Sequence, residues 1–112
     1  MPEVTSSKIT LKFYGIARVP SILGRYDELN ALDADIKITN NGKNTTVIDS
    51  GKFVVIDQFD FPYASSTTDS VKLLPGESMR VSIKFESVSM LSRPVFLIYR
   101  PENLSMDISA WA

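Results

Sequence analysis

The sequence predicts an all-β domain, a two-sheet antiparallel sandwich of seven to nine strands. Three observations predict it. Apolar and polar residues alternate with period two in one short stretch after another, turn residues sit between those stretches, and the 3.6-residue pattern of a helix is absent from the sequence. At 112 residues, of which 44% are hydrophobic, residues 1–112 read as a single domain with enough apolar material for a core.

The first strand is read at 8–16, KITLKFYGI. Ile9, Leu11 and Phe13 point one way, Thr10, Lys12 and Tyr14 the other, and Gly15 marks a bulge. Residues 17–30 contain Pro20, Gly24, Asp27, Glu28 and Asn30 and read as a loop long enough to cover one strand. The cleanest alternation is 31–39, with Leu32, Ala34, Ile36 and Ile38 in the inner row and Asp33, Asp35, Lys37 and Thr39 in the outer one. Asn40-Asn41-Gly42-Lys43 comes next. Asparagine tolerates positive φ and glycine favours it, so Asn41-Gly42 predicts a tight hairpin turn.

The chain resumes as one or two short strands in TTVIDSGKFVVID, broken at Asp49-Ser50-Gly51. Phe59, Phe61 and Tyr63 then alternate with Asp60 and Pro62, and the proline assigns that strand to a sheet edge. Residues 64–70, ASSTTDS, read as a mobile loop. Pro75-Gly76-Glu77 is a turn signal, after which Met79, Val81, Ile83 and Phe85 alternate inward against Arg80, Ser82 and Lys84. Residues 86–93 read as a loop, 94–100 (PVFLIYR) as a core strand, and 104–111 as a last alternating segment. Many short strands with regular turns are the pattern of an immunoglobulin-like sandwich, here without the cysteine and tryptophan landmarks of antibody domains.

Two absences bound the chemistry. With no cysteine there is no disulfide framework, thiolate nucleophile or cysteine metal site; with no histidine there is no Ser-His-Asp triad and no histidine-ligated zinc or copper. The reading is therefore a non-enzyme without cofactors. The net charge of −1, with scattered lysines and arginines, offers no basic stripe for nucleic acid. No run of apolar residues is long enough to span a bilayer, and MPEVTSSK lacks the apolar core of a signal peptide.

Several residues are candidates for more than scaffold. Asp33 and Asp35 share a strand face about 7 Å apart, a spacing open to calcium or acid–base work but equally to a solvated face, which Lys37 in the same row favours. Asp57, Asp60 and Asp69 are candidates for a loop-end calcium site, although no EF-hand spacing supports one. Asn44-Thr45-Thr46 and Asn103-Leu104-Ser105 are N-glycosylation sequons and favour an outside location. Tyr26, within RYDELN, is a candidate recognition loop residue.

Three motifs carry a resemblance: DIKITNNGKNTT at 35–46, KFVVID at 52–57 and LLPGESMRVSIKFE at 73–86. They resemble a large family of immunoglobulin-like domains of bacterial and archaeal surface lipoproteins, similar in fold to a small secreted mycobacterial antigen. RPVFLIYRP at 93–101 fits that family's last core strand, so the resemblance spans roughly residues 8–100. The same motifs resemble the extracellular domain of archaellin relatives, including the stator proteins of the archaellum, which also carry an N-terminal membrane helix. The resemblance implies a surface-exposed binding or structural module, anchored by a segment outside these residues, that meets a surface-layer or assembly protein. It implies no catalytic residues.

The most telling feature is that 53–56 (FVVI) and 95–99 (VFLIY) are apolar in both parities. A strand apolar on both sides needs cover on both sides. The expectation is self-association into a dimer through an outer sheet face involving Phe53, Val55, Phe96 and Ile98, or their opposite-parity neighbours. Two other readings remain: an accessory or structural subunit of a virus or other large assembly, and a carboxylate-based hydrolase, which would need a cleft of converging acids.

Overall fold

Ten strands run through the residues that the computed structural model describes, 1–20 and 29–111: β1 (Glu3–Thr5), β2 (Ile9–Pro20), β3 (Leu29–Asn40), β4 (Thr46–Asp49), β5 (Phe53–Asp57), β6 (Pro62–Ala64), β7 (Ser70–Leu73), β8 (Ser78–Ser89), β9 (Pro94–Tyr99) and β10 (Leu104–Asp107). All pair antiparallel. One sheet has the order β1-β2-β3-β8, a second has the order β10-β9-β5-β6, and β4 and β7 form a two-stranded ribbon. This is the expected immunoglobulin-like sandwich; the strand count exceeds seven to nine because β1 and the β4–β7 ribbon are short additions.

The core is built from one parity of each long strand. Ile9, Leu11 and Phe13 of β2, Leu32, Ala34, Ile36 and Ile38 of β3, and Ile83 and Phe85 of β8 face Phe53 and Val55 of β5, Leu97 and Tyr99 of β9 and Met106 of β10. Phe53 and Tyr99 stack at 4.8 Å between ring centroids. Each fully buried phenylalanine, leucine or isoleucine removes enough apolar surface from water to contribute about 1.5–3 kcal/mol. Met79, expected inward, is 44% exposed at the start of β8.

The segment after β3 differs from its expected hairpin. β3 is already hydrogen-bonded on both edges, to β2 and to β8, so no edge is left for the next strand. The chain crosses instead to the ribbon, where β4 pairs with β7. Neither Asn41 nor Gly42 has positive φ. The turn is shaped by Asn40, 1% exposed. Its Oδ1 accepts from the Gly42 N–H (2.8 Å), and its Nδ2 donates to the carbonyls of Asn44 (2.9 Å) and Leu73 (3.0 Å). Its backbone binds the second turn too, since Asn40 N–H donates to Glu77 O and Gly76 N–H to Asn40 O, both at 2.9 Å. That second turn is as read: Glu77 N–H returns to Leu74 O at 2.9 Å, and Gly76 at φ 80° takes the left-handed position of a type II turn after Pro75.

Other boundaries moved for similar, non-local reasons. The expected loop 17–30 is partly strand, because Ala17–Pro20 pair with Asp33–Asn30. Residues 21–28 lie outside the described residues, as does any covering role for them. The expected loop 86–93 begins only after Ser89, since a bulge at Ser87 (φ 57°) lets β8 continue against β3. The bulge near Gly15 is present, with Tyr14 the extra residue, and Pro62 begins the edge strand β6. The polar stretch 65–69 is tied down. Ser66 N–H donates to Lys84 O (2.7 Å), Lys84 N–H to Thr67 Oγ1 (3.0 Å) and Glu86 N–H to Ser66 Oγ (2.9 Å), along the outer edge of β8.

Replacing Asn40 with alanine removes three side-chain hydrogen bonds and strands buried carbonyls. Asn40→Ala is expected to lower the unfolding free energy by about 2–4 kcal/mol. Urea denaturation measures this, and a loss below about 1 kcal/mol would show that the two turns hold without it.

Candidate functional site

β5 and β9 lie side by side, and directly opposed residues share a face. Phe53 opposes Tyr99 and Val55 opposes Leu97; all four are buried in the core. Val54 opposes Ile98 and Ile56 opposes Phe96, on the outer face. The four residues expected at an interface are thus split. Phe53 and Val55, each 0% exposed, are core residues, whereas Phe96 (39% exposed) and Ile98 face out, joined by the opposite-parity neighbours Val54 and Ile56. Where both parities are apolar, the sequence alone does not reveal which is inside; the sandwich decides it. Pro62 and Ala64 of β6 continue the outer row on one side, and Ser105 and Asp107 of β10 give it a polar rim on the other. The result is an apolar stripe across three strands, in which Phe96 is exposed, Ile56 and Ile98 are half-buried and Val54 is largely buried at 8% exposure, on a face that a lone sandwich keeps polar.

At one end of this stripe two loops are locked together. Asp57, 3% exposed, accepts at Oδ1 from the N–H groups of Phe59 (2.8 Å) and Phe61 (2.9 Å), and at Oδ2 from Ser92 Oγ (2.7 Å). An ionised carboxylate only accepts, so the Ser92 hydroxyl proton points at Asp57 and Tyr63 Oη donates to Ser92 Oγ at 2.8 Å. Burial pushes the Asp57 carboxyl up, but the Ser92, Phe61 and Phe59 hydrogen bonds outweigh it and hold the group below its ordinary value. Gln58 clamps the same loops, donating to Leu91 O (2.7 Å) and accepting from Arg93 N–H (2.6 Å), and Arg18 donates to the carbonyls of Ser89 and Ser92. The clamp holds out Phe59 (72% exposed), Phe61 (55%), Met90 (48%) and Leu91 (78%). Sequence reasoning missed this cluster because Asp57 meets Ser92 across 35 residues of chain; the Phe59-Asp60-Phe61 repeat was its only local sign.

The remaining candidates have local partners. Asp35 holds Arg80 through two contacts, 3.2 and 2.6 Å, Asp33 accepts from Ser82, and the Arg80 guanidinium lies 3.9 Å from the Tyr14 ring centroid. Exposed pairs of this kind contribute little to stability. Asp57, Asp60 and Asp69 are not brought together as a cation site: the Asp57 carboxylate is taken up by Ser92 and two backbone N–H groups, and among the described residues no cluster of three acidic side chains is placed to hold a metal ion. Asn44 and Asn103 are exposed on turns. Tyr26 lies outside the described residues.

The lowered carboxyl fixes the sign of a pH effect. A group whose folded pKa is depressed contributes stability above its unfolded value, about 3.9, and loses it as pH falls through the folded value. Asp57→Asn is expected to destabilise at pH 7 by about 1–3 kcal/mol, with the difference from wild type shrinking below about pH 4. Denaturation midpoints across pH 2–7 test it, and a difference as large at the acid limit as at neutrality would refute the role of the charge.

No protein-family model and no curated protein matches this sequence. Among solved structures, a candidate lipoprotein of Bacillus subtilis (YcdA) superposes with a TM-score of 0.74 at 16% identity over 94% of this chain. The chain spans only 38% of that protein's length. The YjhA protein of Bacillus subtilis gives 0.66 at 12% identity, over 88% of this chain and 77% of that one. The secreted protein MPT63 of Mycobacterium tuberculosis gives 0.62 at 13% identity, over 88% and 83%. At these identities the likeness is one of fold.

Proposed function

We propose that this chain is a non-enzymatic, extracytoplasmic module that works through protein–protein contact, and that the outer face of the β10-β9-β5-β6 sheet binds a second copy. One observation carries the reading: Ile56, Phe96 and Ile98, with the largely buried Val54 among them, form an apolar stripe on the outer face of the sheet, flanked by Pro62 and Ala64 and rimmed by Ser105 and Asp107. A two-fold dimer, the commonest homo-oligomer, pairs one such patch with its own copy. The clamped Phe59, Phe61, Met90 and Leu91 cluster then suits an unlike protein partner, since apolar loop tips on a rigid scaffold meet a partner without having to be ordered first.

The lack of histidine and cysteine supports a non-catalytic reading. The fold likeness to a secreted protein and a candidate lipoprotein supports a place outside the cytoplasm; anchoring by a segment beyond these residues is part of the proposal. The soluble domain of an archaellum stator is the most specific form of this proposal. Its support is the pair of turn motifs at 40–43 and 75–77, both of which have structural work in this fold, so the wider form is preferred. A subunit of a viral or other large assembly would use the same surfaces against unlike neighbours.

Sedimentation equilibrium tests the self-association. The wild type is expected to be a dimer at micromolar concentration, Phe96→Lys and Ile56→Lys folded monomers, and Leu91→Lys, at the loop end, still a dimer. A monomeric wild type overturns the reading. Val55→Lys is no test, since it would bury a charge in the core.

A further inference from the structure

A second surface lies at the opposite end of the molecule, where β3 leaves the first sheet. Lys8, Asn40, Gly42, Lys43, Asn44, Thr45 and Thr46 line a cavity of about 370 Å³. We propose that this cavity binds a tetrahedral oxyanion, a phosphate or sulfate group, through the Lys8 and Lys43 ammonium groups and the backbone N–H groups of residues 43–45.

Three features converge on an anion. First, the two lysines meet no carboxylate among the described residues. Asp35 is paired with Arg80, the Glu77 carboxylate accepts from Leu74 N–H (3.0 Å), and that of Glu102 from Ser6 Oγ (2.7 Å). Second, the N–H groups of Lys43, Asn44 and Thr45 have no acceptor among the described residues. The Asn44 carbonyl is turned inward to Asn40 Nδ2, so across that trans peptide the Thr45 N–H points the other way. Backbone N–H groups left without an internal acceptor are donors open to a bound anion. Third, the frame is held before any ligand arrives. Buried Asn40 holds the loop from within, and a Cβ at Gly42 would sit 3.3 Å from Asn40 Oδ1, crowding the oxygen that accepts from the Gly42 N–H. The Thr45 and Thr46 hydroxyls add neutral donors to a site that otherwise offers charge.

The site is distinct from the dimer face and does not depend on it. Titration of the isotope-labelled protein with inorganic phosphate, inorganic sulfate and sodium acetate, each against sodium chloride at matched ionic strength, tests it by NMR. Saturable shifts are expected at the amides of Lys43, Asn44 and Thr45 with phosphate or sulfate, at millimolar concentration. Lys8→Gln with Lys43→Gln, both at exposed positions, is expected to weaken binding at least about tenfold, because charge-assisted hydrogen bonds are lost, while leaving the rest of the spectrum in place. Shifts reproduced by chloride or acetate, shifts spread over the whole surface, or an unchanged response in the double variant would each overturn the proposal.

Discussion

The two-sided pairing of β3 sets the plan of this domain. Its inner row of Leu32, Ala34, Ile36 and Ile38 is wholly buried, and its backbone is bonded to β2 on one edge and to β8 on the other. A strand saturated in this way has nowhere to place a hairpin partner. The chain leaving Asn40 must change layers, and the polar backbone exposed by that change must be satisfied without a ladder. Asn40 satisfies it by acting as a local substitute for backbone, with one oxygen and one amide nitrogen reaching three partners. The β4–β7 ribbon, the Pro75-Gly76 turn and the entry into β5 take their positions from that crossing.

Much of this was written in the sequence, and the parts that were not share a cause. The alternation at 31–39, the type II turn at Gly76, the break at Ser50 and the edge proline at 62 are local properties, each read from a few neighbours. What escaped was pairing across distance. Ala17–Pro20 look like loop until Asp33–Asn30 stand opposite them. Asn40-Asn41-Gly42 looks like a hairpin until both edges of β3 are taken. Phe53 and Val55 are indistinguishable by type from Val54 and Ile56, and only the closed sandwich separates the inner row from the outer one. At the loop end the limit was sharper still, because the role of Asp57 exists only in the presence of Ser92 and Tyr63.

The exposed surfaces divide by chemistry. An apolar stripe occupies the open face of the second sheet and apolar tips crown one end, while two unpaired lysines and open amides occupy the other end. The molecule is 46 Å along its longest axis and about half that across, so contacts at the two ends need not compete for space.

The serine- and threonine-rich stretch between β6 and β7 has a consequence of a different kind. By composition it is the most replaceable part of the chain. In place, Ser66 and Thr67 occupy the outward hydrogen-bonding groups of Lys84 and Glu86, on a long strand that would otherwise present a bare edge. A bare edge is a template for pairing with another chain and so for aggregation. By blunting that edge, a few small polar residues bear on whether the protein stays soluble at high local concentration or turns fibrous. Shortening or randomising the segment would therefore show itself less in the fold than in the test tube, as turbidity.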